Sequence, residues 1–358
     1  MVDTINFPVT KVANSKLKDL NFKSLPFGKQ FTDHLLVADY ENGDPIANGW
    51  KNVQIKPYES FSISPALAAL HYGQSIFEGI KAYKNKNGEA FIFRPQDNFR
   101  RFNISAERMQ MPAVPEEIFM DGMRQLINLD RNWIPDLADH SLYIRPFMFS
   151  SDEVIGVKPS DNYKFMIILC PTGPYYATPM RIYVEEKYSR AAPGGVGFAK
   201  AAGNYGSAML ASAEARAKGY DQVLWTDAFE HKYVQECGTM NAFFIIGNSA
   251  ITPNLEDTIL EGVTRTSTIT ILKEMGLTVE ERRLSIDEVI DAYKSGTLKE
   301  VFGTGTAATI SMIKELRYKD FVMLFDTETW KISPAVKKHL TDIREGRAED
   351  KYGWMWKI

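Results

Sequence analysis

Apolar positions along the chain follow two periods. Short runs that alternate or are apolar throughout, Leu35-Leu-Val-Ala-Asp-Tyr40, Phe165-Met-Ile-Ile-Leu-Cys170 and Phe243-Phe-Ile-Ile246, have the pattern of half-buried and fully buried strands. Between them, apolar residues recur every three to four positions, as on one face of a helix. Such a helix is predicted from Pro95, with Phe99, Phe102 and Ala106 on its apolar side and Arg100, Arg101 and Arg108 as its cations; another is predicted over 115–129. Ser64-Pro65 predicts the start of a short helix, with Ser64 as its cap and its end near His71-Tyr-Gly73. Asn42-Gly43 and Asn87-Gly88 predict hairpin turns, the second joining strands at 80–83 and 90–93. The stretch 141–149 reads as a strand whose period of two puts Tyr143, Arg145 and Phe147 on one face and Leu142, Ile144 and Met148 on the other. Pro146 predicts that this strand lies at a sheet edge or ends there.

The second half punctuates itself in the same way. Residues 171–179 hold Pro171, Gly173, Pro174 and Pro179 without apolar periodicity, which marks 173–179 as a linker between domains at 1–172 and 180–358. A small-residue helix is expected over 206–218, closed by Gly219, then strands at 222–226, 233–236 and 242–246. Thr264 is expected to cap a helix reaching Met275 and stopped by Gly276, and Ser285-x-x-Glu288 is a capping box for the next one. Strands and helices mixed in both halves give a two-domain α+β or mixed α/β protein.

Composition narrows the function classes. A net charge of −3 over 358 residues, with no long basic run, argues against nucleic acid as a partner. The apolar runs are far too short to span a bilayer, and the first twenty or so residues lack the h-region of a signal peptide. Cys170 and Cys237 have no metal-ligand or redox spacing and sit in strand-like sequence, so reduced core thiols in a cytoplasmic protein are expected, with no metal.

Candidate chemistry centres on Gly194-Gly-Val-Gly-Phe-Ala-Lys-Ala-Ala-Gly-Asn-Tyr-Gly-Ser207, in which one lysine, Lys200, stands between alanines. Five glycines fall in thirteen residues where 24 in 358 would place about one, and glycine lets a ligand approach backbone closely. Walker and dinucleotide fingerprints both fail here. A lysine amine in small apolar surroundings suits Schiff-base chemistry, since desolvation disfavours the ammonium; a flexible loop with a solvated lysine is the plain alternative. Two stretches suit phosphate: Gly262-Val-Thr-Arg265, at a helix N-terminus, and Gly303-Thr-Gly-Thr306, a turn with two hydroxyls. Glu236, among Val, Cys, Gly and Met, is costly to bury without a cationic partner. An amine, an acid and an anion cup are what pyridoxal phosphate requires.

Several segments resemble branched-chain amino acid aminotransferases: Phe27-Gly-Lys-Gln-Phe-Thr-Asp-His34, Leu70-His-Tyr-Gly-Gln-Ser-Ile-Phe-Glu-Gly-Ile-Lys-Ala82, Leu142-Tyr-Ile-Arg-Pro146, Gly203-Asn-Tyr-Gly-Ser207, Gln222-Val-Leu-Trp225, Glu236-x-Gly-Thr-Met-Asn241, Glu261-Gly-Val-Thr-Arg265 and Phe302-Gly-x-Gly-Thr-Ala307. They keep the family's order over nearly the whole chain. The resemblance implies a fold-type IV enzyme, similar to D-amino-acid aminotransferase, with a small N-terminal domain and a larger pseudo-barrel domain. It implies pyridoxal phosphate as cofactor, a homodimer, and reversible amino transfer between Leu, Ile or Val and 2-oxoglutarate.

It also implies roles. Lys200 would bind the cofactor aldehyde and move the proton. Glu236 would pair with the pyridine nitrogen and Tyr205 with the phenolic oxygen. Arg101, Val263, Thr264 and Thr306 would hold the phosphate with Arg190 nearby, and Thr239, Leu260 and Gly305 complete the cofactor set. Thr306 and Ala307 amides with Tyr72 would receive the substrate carboxylate. Arg145 and Tyr143 would clamp the distal carboxylate of glutamate, and Phe27, Phe77, Tyr143 and Tyr175 would line the side-chain pocket. The segment 236–265 alone is shared with D-amino-acid aminotransferases and aminodeoxychorismate lyase. Tyr143-x-Arg145 argues against a lyase, which needs no second carboxylate clamp; a non-catalytic phosphate-binding protein is the remaining alternative. Glu261 stands where many relatives have proline, and Ala308-Thr-Ile-Ser311 replaces the Cys-x-x-Cys of mammalian relatives, so their thiol control is not expected. Their mitochondrial presequence is also missing, and a bacterial-type enzyme is expected.

Overall fold

The computed structural model describes residues 5–174 and 178–358, with the backbone alone for residues 46 and 47. The chain packs as two compact units, one of Met1–Tyr175, Ala199–Gly203 and Thr341–Ile358, the other of Tyr176–Phe198 and Asn204–Leu340.

The first unit is built on an 8-stranded sheet. Its strands are β1 (His34–Glu41), β2 (Trp50–Pro57), β3 (Ser75–Phe77), β4 (Ile80–Lys84), β5 (Ala90–Phe93), β6 (Ser141–Ser150), β7 (Asn162–Thr172) and the C-terminal Met355–Lys357. The spatial order is C-terminal strand, β5, β4, β6, β7, β1, β2, with β3 also on β6. The pairing of Met355–Lys357 with β5 is what brings the chain's end into this unit. The helix Pro95–Arg108 buries Phe102 and Ala106 in a core with Leu36, Phe119, Ile144 and Phe165, as its period requires. The stretch expected to be one helix over 115–129 begins as a π-helical turn, Glu117–Asp121, before the α-helix Gly122–Leu129. The short helix begins at Ala68 rather than beside Ser64, whose hydroxyl instead accepts from the Ala66 amide within a turn. Gly73 ends it in the left-handed conformation.

Pro146 is the instructive departure. β6 lies inside the sheet, between β7 and the β3–β4 pair. The Pro146 carbonyl accepts from the Glu78 amide at 2.7 Å, so its missing N–H falls on the same side, at the Glu78–Gly79 break. There the partner of β6 changes from β4 to β3, and no ladder bond is demanded of the proline.

The second unit holds a 9-stranded sheet of β8 (Met180–Val184), β9 (Gln222–Thr226), β10 (Val234–Cys237), β11 (Met240–Ile246), β12 (Ser249–Thr252), β13 (Thr278–Glu281), β14 (Leu298–Gly305), β15 (Thr309–Tyr318) and β16 (Phe321–Leu324). β10 pairs with both β9 and β11, so β10, β9, β8, β15, β14 and β11 close on themselves as a barrel-like ring. Closure leaves these strands without an open edge. The expected helix over 206–218 is broken into Ala202–Ser207 and Met209–Ala217. The next helix, Val263–Glu274, is capped by Gly262, so Thr264 sits inside its first turn rather than capping it. Half of the Ser285 capping box forms: the hydroxyl accepts from the Glu288 amide at 3.1 Å, while the Glu288 carboxylate accepts from Arg282 instead of the Ser285 amide. Among the described residues, no helix is long and apolar enough to cross a membrane.

Candidate active site

Each unit carries its own group of candidate residues. In the first, Lys200 is fixed through its backbone. Its N–H donates to Ser105 Oγ at 2.9 Å, its carbonyl accepts from the Phe77 amide at 3.1 Å, and Ala201 bridges to Ile76 on β3. Ala199 and Ala201 are buried on either side, as the apolar flanks anticipate. The amine lies 5.0 Å from the Phe77 ring centroid. On the chain, the glycines serve the protein rather than a ligand at two positions. Gly194 takes φ 77°, and a Cβ on Gly197 would stand 2.8 Å from Thr258 Cα, because backbone passes backbone there.

Glu78 has no expected role, yet it is the most enclosed charge in this group. Oε1 accepts from Arg101 Nε at 2.7 Å, and Oε2 accepts from Arg101 Nη2 and Asn98 Nδ2 at 2.8 Å and from the Gly79 amide at 3.1 Å. Complete burial would push its carboxyl up, but Arg101, Lys200 and Asn98 together hold it below the ordinary value of 4.5. The signal that would have found it is the one used for Glu236: a lone acid in an apolar run. Arg101, expected as a helix cation and, by the resemblance, as a phosphate ligand, is buried with its Nε and Nη2 on Glu78.

Arg145 and Tyr143, expected as a clamp, meet as a hydrogen-bonded pair. Arg145 Nη2 donates to the Tyr143 hydroxyl at 3.0 Å, and Phe27 packs edge-on to Tyr143 at 5.0 Å between centroids. The guanidinium lies 4.4 Å from the Phe77 centroid and 5.3 Å from that of Tyr143. Phe77 joins Arg145 from β3, directly opposite Phe147 in the β3–β6 ladder, and Phe147 stacks on Phe149. Arg145 Nε is buried with no hydrogen-bond partner among the described residues. Lys81, directly opposite Tyr143 in the β4–β6 ladder, was not anticipated. Burial and the nearby Arg344 pull its ammonium down to about 7, against an opposing pull from Asp139. Tyr72 is exposed at the end of Ala68–Tyr72, beside His71, and Tyr175 lies outside the described residues.

In the second unit, Glu236 on β10 is buried. Its Oε1 accepts from the Leu260 amide at 2.9 Å, and Oε2 lies 3.3 Å from Arg190 Nε. Arg190, expected near a phosphate, is held here; Nη2 also donates to the carbonyls of Thr258 and of Gly197, the latter at 3.3 Å. Asn241 Nδ2 ties this acid to the loop before the helix by donating to the Leu260 carbonyl at 2.9 Å. Ladder pairing sets Glu236 opposite Asn241, and Asn241 opposite Thr304, so the three share a sheet face. Val263 and Thr264 open the helix behind Gly262, where a Cβ would meet Asn241 Oδ1 at 2.0 Å. Their first-turn position offers amides to an anion. Gly305, Thr306 and Ala307, half-buried, lead out of β14, Gly303 packs on Met240, and Thr239 is exposed at the β10–β11 turn. Tyr205 is half-buried on Ala202–Ser207.

Pyridoxal phosphate can be tested on these atoms. Glu236 Oε2 accepts no aligned hydrogen bond among the described residues, and Arg190 Nε and Thr304 Oγ1 are buried without one. An acid oxygen lacking a donor and buried polar atoms lacking partners, with a helix N-terminus beside them, fit a ligand that brings a ring N–H and a phosphate.

Three comparisons bear on what such a site serves. Residues 75–316 match the family described as amino-transferase class IV. A probable branched-chain-amino-acid aminotransferase of Staphylococcus epidermidis is 49% identical over 336 residues, covering 92% of each chain. Branched-chain-amino-acid transaminase 1 of Bacillus subtilis is 46% identical, over 92% of this chain and 93% of its own. Among solved structures, a T.th. branched-chain amino acid aminotransferase complexed with N-(5'-phosphopyridoxyl)-L-glutamate superposes with a TM-score of 0.71 at 28% identity, over 89% of this chain and 97% of its own. With Lys200, the enclosed Glu236 and the Arg145–Tyr143 pair in the structure, these matches make the chain a member of the class IV aminotransferases, and within them of the branched-chain-amino-acid aminotransferases.

Proposed function

We propose that the protein transfers the amino group between leucine, isoleucine or valine and 2-oxoglutarate, reversibly, with pyridoxal phosphate as cofactor. The observation that carries this reading is the presence of Lys200 and Arg145 beside one aromatic residue, Phe77: an amine for the reaction and a guanidinium for a carboxylate. Leucine needs an apolar lining and glutamate needs a cation, and Phe27, Phe77 and Tyr143 around Arg145 offer both.

Lys200 would anchor the cofactor, and its Nζ would then carry the proton taken from the substrate Cα. Bound pyridoxal phosphate supplies the electron sink that makes this proton removable. Glu236 Oε2 would accept from the ring N–H, with Arg190 beside it. Tyr205 would hydrogen-bond the phenolic oxygen. Arg101, Val263, Thr264 and Thr306 would hold the phosphate, with Leu260, Thr239 and Gly305 adjoining. Tyr72 with the Thr306 and Ala307 amides would orient the substrate's α-carboxylate, while Arg145 and Tyr143 would orient the distal one.

A homodimer and a cytoplasmic setting belong to the same proposal. Exposed Phe61, Ile63, Leu70, Val154, Ile155 and Val157 lie on two segments that meet at the Leu67–Glu153 bridge, and an exposed apolar group of this kind suits a subunit interface. The buried free thiols Cys170 and Cys237 suit a reducing compartment.

The test is chemical. Purified protein is expected to take up pyridoxal phosphate, turn yellow, and, after borohydride reduction, carry the label on the peptide containing Lys200. A protein that stays colourless, or a label on another lysine, would end the reading. Single-turnover assays with leucine and with glutamate then identify the substrates.

A further inference from the structure

Gly79 sits buried in the break between β3 and β4, and its backbone has no room to retreat. The preceding Glu78 amide donates to the Pro146 carbonyl at 2.7 Å, and the Gly79 amide donates to the enclosed Glu78 carboxylate at 3.1 Å. Its φ is not in the left-handed region, so the backbone itself would accept alanine. Space is what forbids it. A Cβ on Gly79 would stand 2.1 Å from the Tyr143 hydroxyl oxygen and 3.0 Å from Cζ, and the nearest three atoms all belong to that one side chain. Tyr143 is held in turn. It is 8% exposed, Phe27 packs edge-on to its ring, and its hydroxyl receives Arg145 Nη2 at 3.0 Å. A rigid phenol so placed cannot shorten; it must swing as a whole and leave Arg145.

We propose that Gly79 is a positioning residue for the distal-carboxylate clamp: by carrying no side chain it admits the Tyr143 hydroxyl to the place where that hydroxyl and Arg145 act on one carboxylate. The inference rests on the reading of Tyr143 and Arg145 as the glutamate clamp. A leucine side chain makes no use of the pair's polarity, so a displaced Tyr143 weakens dicarboxylate binding and leaves branched monocarboxylates comparatively untouched. Gly79 thereby sets which of the two substrate classes the pocket holds well.

The experiment measures dissociation constants of glutarate and of 4-methylvaleric acid on the purified, cofactor-loaded protein by calorimetry, alongside single-turnover rates with glutamate and leucine. Gly79→Ala is expected to weaken glutarate by about 10- to 100-fold, the loss of a hydrogen bond to a charged group, and 4-methylvaleric acid by less than about 3-fold. Tyr143→Phe removes the clashing oxygen. The double variant Gly79→Ala/Tyr143→Phe is therefore expected to bind glutarate no worse than Tyr143→Phe alone, because the first change acts through the atom the second deletes. Equal losses for both ligands, or penalties that simply add in the double variant, would overturn the inference. So would insolubility of both variants, since the added methyl would then be meeting something other than the hydroxyl. Insolubility of Gly79→Ala rescued in the double variant supports it. Arg145→Ala separates the two levels: if it fails to distinguish glutarate from 4-methylvaleric acid, the clamp reading falls, whereas discrimination by Arg145→Ala without discrimination by Gly79→Ala removes only the role of Gly79.

Discussion

Each unit buries one glutamate against one arginine, and the two pairs are built differently. Glu78 and Arg101 meet through two aligned bonds, with Asn98 and a backbone amide completing the carboxylate; side-chain exposure is 0% and 6%. Glu236 and Arg190 are as enclosed, at 5% and 9%, but touch at 3.3 Å without alignment, and Arg190 Nε has no hydrogen bond among the described residues. A buried pair whose carboxylate is fully bonded is a structural joint, costly to open. One left incomplete holds its charge in readiness for a donor from outside the protein. On the proposed function, the difference separates an acid that shapes the site from one that would serve the cofactor, although in sequence both are single glutamates in apolar runs.

Stability should expose the contrast most strongly. Glu78→Ala leaves Arg101 buried without its counterion and is expected to cost about 3–5 kcal/mol in urea or thermal unfolding; a loss below about 1 kcal/mol would dissolve the distinction. The sign with pH follows. Because the folded state holds Glu78 below 4.5, its contribution is complete above that value and is lost as pH falls through the folded pKa. Acid unfolding of the native protein should therefore begin below 4.5, and Glu78→Gln should flatten that limb.

Glu236→Gln should behave in the opposite way. Its carboxylate makes one firm hydrogen bond to protein, so unfolding is expected to shift by about 1 kcal/mol or less, while turnover falls by about 100-fold because the ring nitrogen loses its anionic partner. A stability loss as large as that of Glu78→Ala with turnover intact would exchange the two roles.

Lys81 sharpens the comparison from a third side, as a buried cation on the first unit's sheet whose ammonium burial disfavours. Its folded value of about 7 lies below the ordinary 10.5, so the native state binds fewer protons than the unfolded chain between these limits. Stability at this residue should fall as pH drops from about 10.5 to about 7 and be flat below. Lys81→Met is expected to raise stability at pH 6 by about 4 kcal/mol relative to its effect at pH 10.5. No pH dependence of the difference, read from unfolding curves at both values, would mean that Lys81 keeps its charge when folded.

Local signals in the sequence were enough to place most elements, because they act over a few residues. Gly73, Gly219 and Gly276 end helices where left-handed backbone is needed, the Ser285 cap starts one, and Asn87-Gly88 turns a hairpin. The same locality explains the misses. Pro146 looked like an edge residue because the break opposite it is made by Glu78 and Gly79, far away along the chain. Phe77 reaches Arg145 from β3 because strand register sets it opposite Phe147, which no local pattern shows.

By itself, then, the sequence determined the residue types the chemistry requires: one lysine set between alanines, an arginine two residues from a tyrosine on a strand, and a lone acid at 236. Only the tertiary structure decided which charges are spent on one another. It gave Arg101 to Glu78 and Arg190 to Glu236, and set Gly79 under the Tyr143 hydroxyl. The physical reason is that pairing depends on register and burial, which are properties of strands meeting across long sequence separations, and a desolvated charge takes whichever partner that meeting supplies.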